Sequence, residues 1–312
     1  MEELRLSANA VLPVFLMMAA GYLARELRVL ERGDVGKMNR VAFRVFLPCL
    51  LFYNVYRSDL SAAVNPKLIV FAVAGVLAVF AVAYAAVVRF EPLNERRGVL
   101  IQGIFRSNYV ILGLPIAQAL LGEGDLGPVS VLIAIVVPLF NVLAVFVLER
   151  FRGGSVKAGE VLLQMLKNPL VISSALGILA LVLGLKLPSV LEKTVSGLGA
   201  VAPPLQLFLL GAFFRFEGLG RYAKALTAVT GIKLVVTPAV FLSLAAALGF
   251  RGAEFVALLG IFASPTAVNS FTMAQQMGGD AELAGDIVVS TSVFSAVTMF
   301  LWIFAFKTLG VF

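Results

Sequence analysis

Histidine is missing from this 312-residue chain, and cysteine and tryptophan each occur once. With no His and a lone Cys49, the chain offers no Cys/His metal site and no internal disulfide. Charge is scarce: Asp, Glu, Lys and Arg make up 14%, against roughly a quarter in soluble domains. That leaves too little polar surface for a soluble globular protein. The 18 acids all fall in loops or near helix ends, with Glu254 and Asp286 the closest to an apolar interior. A proton- or sodium-driven carrier usually keeps a carboxylate near the membrane midplane, so this absence weakens ion-coupled symport. No midplane acid pair and no Ser or Cys with a neighbouring base is available, which sets aside an intramembrane enzyme.

What is present is apolar: 60% of residues are hydrophobic and the mean hydropathy is +0.99. A spanning helix needs about 20 mostly apolar residues. Ten runs qualify, at 7–25, 41–57, 67–89, 98–121, 129–149, 169–186, 190–214, 222–249, 254–277 and 287–306. They are too long and too little alternating for strands. The first run is read as a retained span rather than a signal peptide. Glu2 and Glu3 stand where a basic region belongs, and no small-x-small cleavage site follows.

The second half echoes the first. At an offset of 156, Pro13, Ala19, Gly21, Leu23, Ala24 and Leu27 fall on Pro169, Ala175, Gly177, Leu179, Ala180 and Leu183, while Pro48, Leu51 and Phe52 fall on Pro204, Leu207 and Phe208. At 157, Ala117, Gln118, Gly122 and Leu126 fall on Ala274, Gln275, Gly279 and Leu283, and Glu123 faces Asp280. The expected organisation is a first five-helix repeat over 1–150, a cytoplasmic linker over 151–168 and a second repeat over 169–312. Five spans is an odd number, so the two repeats insert with opposite topology.

The net charge is +7. In a membrane protein that excess marks cytoplasmic loops rather than a nucleic-acid partner. Fifteen Lys and Arg lie in or beside the loops after spans one, three, five and seven, against seven on the other face. The first set is therefore placed in the cytoplasm, with both termini outside a plasma (inner) membrane.

Spans four and nine carry the unusual chemistry. In span four, Gly113-Leu-Pro115 is expected to interrupt the helix, with Gly ending one half and Pro opening the next. In span nine, "ASPTAVNSF" is expected to do the same, with Ser264 as N-cap before Pro265. Exposed backbone at membrane depth is tolerated only against protein or a water-filled cavity. Paired breaks in two repeats are a sequence pointer to a transporter's binding site. Near them lie Ser107, Asn108, Tyr109, Thr266, Asn269 and Ser270, all neutral hydrogen-bonding groups. Half-helix N-termini favour anions, and an Asn amide donates to a carboxylate without the cost of burying a cation. The expected substrate is a small organic anion. No cofactor and no metal is expected. Pro48, Pro203 and Pro204 read as structural kinks, and Asn54 and Asn141 as helix–helix hydrogen bonds.

Three cations sit inside spans. Arg44 and Arg106 lie near cytoplasmic ends and are expected to snorkel to the interface, with Arg106 also able to attract an anion. Lys233 lies about twelve residues deep, or roughly 18 Å at helical rise, and is expected to face a polar cavity and draw anions in. Asp286 is the candidate proton carrier.

The stretches "LPCLLFYNV" (Leu47 to Val55), "NYVILGLPIAQALLG" and "SPTAVNSFTMAQQMGGDAELAGDIVVSTSVFS" resemble the auxin efflux carrier family, which includes the plant PIN carriers and many bacterial relatives. The most specific part is Pro265 followed by Asn269 and Gly278-Gly279-Asp280. Only the short Glu149–Glu160 stretch stands where the plant carriers have a long loop, so the chain resembles a compact bacterial type. The resemblance implies an all-α polytopic membrane protein of ten transmembrane helices, as two inverted five-helix repeats with crossed broken helices. It implies a scaffold domain from spans 1, 2, 6 and 7, and a transport domain from spans 3–5 and 8–10. It also implies elevator-like alternating access, with Asn108 and Asn269 matching the amides that contact a substrate carboxylate. The related bile-acid symporters share the fold and use sodium, so a sodium-coupled organic-anion symporter is the alternative. The small residues Ala19, Gly21, Ala175 and Gly177 of helices one and six offer a homodimer surface.

Overall fold

The computed structural model describes residues 2–58, 65–122, 126–152, 158–215 and 220–312, with side chains throughout except at 2–11, 32 and 158. Glu123, Lys157, residues 153–157 of the expected linker and the side chains of Glu2, Glu3 and Arg5 lie outside the described residues. In chain order the helices are α1 (Glu2–Glu26), α2 (Arg32–Val41), α3 (Leu47–Tyr56), α4 (Pro66–Phe90), α5 (Asn94–Phe105), α6 (Leu114–Leu121), α7 (Gly127–Arg150), α8 (Ala158–Lys167), α9 (Pro169–Val182), α10 (Ser189–Phe213), α11 (Ala223–Gly231), α12 (Thr237–Ala247), α13 (Gly252–Ala263), α14 (Asn269–Met277) and α15 (Ala281–Thr308). No strand occurs among the described residues; Ser107 and Thr266 form an isolated antiparallel bridge.

Among the described residues five helical stretches can cross a membrane unaided: Pro66–Phe90, Gly127–Arg150, Ser189–Phe213, Ala223–Ala247 and Ala281–Thr308. The pair α8–α9, bent by 64°, makes a sixth if taken as one span. The fourth and ninth apolar runs are split into shorter helices. Large apolar side chains point outward along the chain, among them Leu16, Val70, Val82, Val182, Val240 and Phe294. So continuous an apolar exterior is stable against lipid, not water. The chain is an all-α polytopic membrane protein. The expected linker over 151–168 is not a plain loop: α8 occupies 158–167 and buries Val161. Asn168 separates it from α9, its side chain accepting from the Leu170 N–H at 2.9 Å.

Three π-helical segments, Ala42–Phe46, Tyr109–Gly113 and Ile232–Val236, run directly into α3, α6 and α12. Each following helix has proline at its second residue: Pro48, Pro115 and Pro238. A proline ring collides with the carbonyl four residues back and lacks an N–H. Widening the turn by one residue relieves the clash. Accordingly the N–H groups of Leu47, Leu114 and Thr237 donate five residues back, to Ala42, Tyr109 and Ile232. The carbonyl that Pro238 would have met, Leu234, instead accepts from the Trp302 indole N–H at 2.9 Å.

Two close contacts between the halves fall on corresponding positions. A Cβ on Gly21 would stand 1.8 Å from the carbonyl oxygen of Phe208, so α1 packs backbone-to-backbone on α10. A Cβ on Gly177 would stand 2.9 Å from the carbonyl oxygen of Phe52, seating α9 on α3 in the same way. Gly177 and Phe208 are the positions onto which the 156-residue offset carries Gly21 and Phe52. Both glycines are thus consumed inside the chain, whereas Ala19 and Ala175 remain exposed.

Candidate functional site

The polypeptide leaves helical geometry twice inside the bundle. The first break follows α5: Arg106 is extended (φ −82°, ψ 128°) and Asn108 is non-helical (φ −79°, ψ 53°). The second follows α13, where Ser264 is extended (φ −66°, ψ 148°) and helix resumes at Asn269. The breaks cross and satisfy each other's backbone. The Asn108 N–H donates to the Pro265 carbonyl at 2.8 Å. Thr266 Oγ1 donates to the Gly103 carbonyl at 2.7 Å, in the last turn of α5. Ser107 Oγ donates to the Ile261 carbonyl, in the last turn of α13. The Thr266 N–H donates to Thr291 Oγ1 on α15 at 3.2 Å. Buried polar backbone must be paired, and each break supplies the partners of the other.

Two local expectations change. Gly113 and Pro115 do not interrupt the helix: Tyr109–Leu121 is continuous, and the interruption lies at Arg106–Asn108. Pro115 only widens the turn. Gly113 instead seats the Tyr109 ring, as does Gly260; a Cβ would lie 2.6 Å or 2.7 Å from that ring. Ser264 is not an N-cap either. It ends α13, and its hydroxyl has no partner.

A cavity of about 60 Å³ adjoins the crossover, bounded by Arg106, Ser107, Asn108, Tyr109, Val110, Ile111, Ala267 and Asn269 on one side. Leu50, Leu51 and Asn54 of α3, Val137, Phe140 and Asn141 of α7, and Pro203 and Gln206 of α10 close the rest. The half-helix beginning at Tyr109 presents its first turn here, where backbone N–H groups have no acceptor within the helix. The side chains add to that positive character. Asn108 Nδ2 and Asn141 Nδ2 are buried donors without partners, and Asn269 has an unpartnered amide oxygen. Arg106 is 2% exposed, so it does not snorkel to the interface. Its guanidinium donates to Asn141 Oδ1 at 2.6 Å and to the Met273 sulfur. It makes no ion pair among the described residues. Among the described residues no carboxylate borders the cavity. A buried cation lacking a counter-ion is costly, and an anionic guest would supply one.

Of the expected site residues, Asn108, Asn269, Tyr109 and Arg106 line the cavity. Gly113, Pro115, Ser264, Pro265, Thr266 and Ser270 lie in the two crossing segments but do not line it. The Ser270 carbonyl accepts from Gln102 at 3.1 Å, and Pro265 and Thr266 hold the crossover. Lys233 is 1% exposed and donates to Ser107 Oγ; Ser107 is a wall residue, but Lys233 itself is not. Asp286 is buried on α15 with one carboxylate oxygen unpartnered, and it too is not a wall residue. Asn54 and Asn141 are cavity residues, not only helix–helix contacts. A lone Asn in the middle of the otherwise apolar α7 was the available signal.

Asp280, beyond the second half-helix, anchors the crossing elements at their outer end. It caps α15 by accepting from the Leu283 N–H at 3.0 Å, and it accepts from Arg96 at 3.3 Å and Tyr222 at 2.9 Å. Burial, then the Asp280 carboxylate, push the Tyr222 phenol up to about 12.

The sequence comparisons fit this geometry. The chain is 25% identical over 299 residues to an "Uncharacterized transporter" of Methanothermobacter thermautotrophicus, covering 95% of this chain and 97% of that protein. It is 27% identical over 299 residues to a "Putative malonate transporter" of Rhizobium meliloti, covering 93% and 92% respectively. The model of the family described as "Membrane transport protein" matches residues 6–303. With two crossed broken helices, an uncompensated buried guanidinium and a family match along nearly its whole length, the chain belongs to the membrane transport protein family, that of the auxin efflux carriers.

Proposed function

We propose that the protein is a secondary carrier for a small organic anion, bound at the crossover of the two broken segments and moved by elevator-type alternating access. One observation carries this reading: buried Arg106, with no acidic partner among the described residues, shares a cavity wall with the unpartnered amide N–H2 groups of Asn108 and Asn141. A carboxylate would pair the guanidinium and accept from the amides. A half-turn of the Asn269 amide would present its N–H2 to the same guest. The malonate in one relative's name suits such a site: one carboxylate on Arg106, the other on the amides.

The proposed architecture is ten spans in two inverted repeats, supported by the exchanged Gly21–Phe208 and Gly177–Phe52 contacts. The scaffold would comprise spans 1, 2, 6 and 7, and the moving body spans 3–5 and 8–10. The cavity lies on the seam between them, with α3 and α10 on the scaffold side and the crossover on the other. At about 60 Å³ it is small beside the roughly 300–1,000 Å³ of ligand clefts. A guest therefore needs the two bodies to part, which is what alternating access provides. Both termini would lie outside the cytoplasm, across a plasma (inner) membrane, a reading supported by the excess of Lys and Arg in the loops on the opposite face.

Proteoliposomes loaded with unlabelled malonate and given labelled malonate test the reading. Saturable counterflow that needs about tenfold more malonate in Asn108→Ala, and more still in Arg106→Gln, is expected. Non-saturating flux, or counterflow untouched by both substitutions, would refute it.

A further inference from the structure

The crossover has two electrically unlike faces. Tyr109 and Asn269 open half-helices at the cavity, where N-terminal ends carry partial positive charge. α5 and α13 both terminate at the crossing, at Phe105 and Ala263. Two helix C-termini, each worth roughly half a negative charge, are thereby brought together inside the membrane. Such a pair attracts a cation. In many carriers an inorganic ion would meet that need, but here a side chain stands at the place. The Lys233 ammonium, 1% exposed, donates to Ser107 Oγ, and the same hydroxyl donates onward to the Ile261 carbonyl at the end of α13. Lys233 makes no ion pair among the described residues and is not a wall residue of the cavity. It lies in the π segment that Pro238 imposes, so a separate span delivers it to the crossing.

We infer that Lys233 is a resident cation of the crossover, a tethered ammonium that neutralises the converging helix ends through Ser107 and takes the place of a dissociable coupling cation. It is a positioning residue: it holds the first break in shape, and Arg106 and Asn108 with it, without touching the guest. Lys233 plays this part whichever anion is carried.

The test uses the purified full chain without any transport substrate. Melting temperatures of wild type, Lys233→Ala, Lys233→Gln and Lys233→Arg are compared in methylammonium, sodium and tetramethylammonium chloride at equal ionic strength. Lys233→Ala should melt lower than wild type in tetramethylammonium, which has no N–H, and recover part of the loss in methylammonium or sodium. Wild type should not distinguish the salts. Lys233→Gln, which keeps a donor but no charge, should stay below Lys233→Arg. Should Lys233→Ala not be recoverable from the membrane, Lys233→Met and Ser107→Ala form a double-mutant cycle in which the double variant melts no lower than the worse single one. Salt-independent melting of Lys233→Ala, additive effects in the cycle, or Gln equal to Arg would overturn the inference. None of these outcomes depends on whether malonate is carried.

Discussion

The two breaks are alike in backbone but not in chemistry. The first brings Arg106, Ser107 and Asn108 to the cavity and gives it, among the described residues, its one cation and a free amide donor. The second, Ser264 to Val268, is neutral and buried, and places only Ala267 of its own residues on the cavity wall, with Asn269 just beyond. Its Thr266 is spent on the Gly103 carbonyl and on Thr291. A crossover needs one strand that can afford polar groups facing a guest and another that holds the first in place. Here the two breaks divide those tasks.

That division can be broken by substitution. The largest effect is expected at Arg106. Hydrogen bonds to a charged group contribute about 1.5–3 kcal/mol, so Arg106→Gln should weaken anion binding by about 10- to 150-fold, measured by titration calorimetry, without unfolding the protein. Thr266→Val should do the reverse. It orphans the Gly103 carbonyl and should cost about 1–3 kcal/mol of stability, while anion affinity in the folded fraction holds. Equal affinity losses at both positions would erase the proposed division. Asn108→Ala and Asn269→Ala should each weaken binding about tenfold, or about 1.4 kcal/mol, with Asn108 the more sensitive because its donor is already free. Trp302→Phe should have the smallest effect. It removes the indole partner of the Leu234 carbonyl and should cost about 1 kcal/mol in thermal unfolding, with affinity unaltered.

Much of the fold was legible because lipid-facing spans must be long and apolar. Residues 67–89 and 129–149 nearly coincide with α4 and α7. α2 was not visible to the same reasoning: Arg32 to Arg40 are mostly polar, and their helix extends beyond the apolar run. The second break was legible from Pro265. The first lies several residues before the position that Pro115 suggests, since Pro115 only widens a turn. Arg106–Asn108 carries neither Gly nor Pro, and what opens it is the tertiary bridge to Pro265 and Thr266. Asn108, Asn269 and Tyr109 were nameable from their neighbourhood, whereas Asn141 and Gln206 come to the same cavity from distant helices, which spacing cannot reveal. The depth of Lys233 could be counted along the chain, but its Ser107 partner lies 126 residues away.

Arg106, buried without an acidic partner among the described residues, is a guanidinium built for an anion. Ligands that bind only the folded state raise stability by about 2.7 kcal/mol at a hundred times the dissociation constant. The direct measurement is therefore the melting temperature of wild type and Arg106→Gln across a panel of mono- and dicarboxylates at fixed pH and ionic strength. At least one small carboxylate is expected to raise the wild-type melting temperature with saturation and to leave Arg106→Gln nearly unmoved at the same concentrations. Equal protection of both proteins, or protection by neutral or cationic solutes and by no carboxylate, would contradict it.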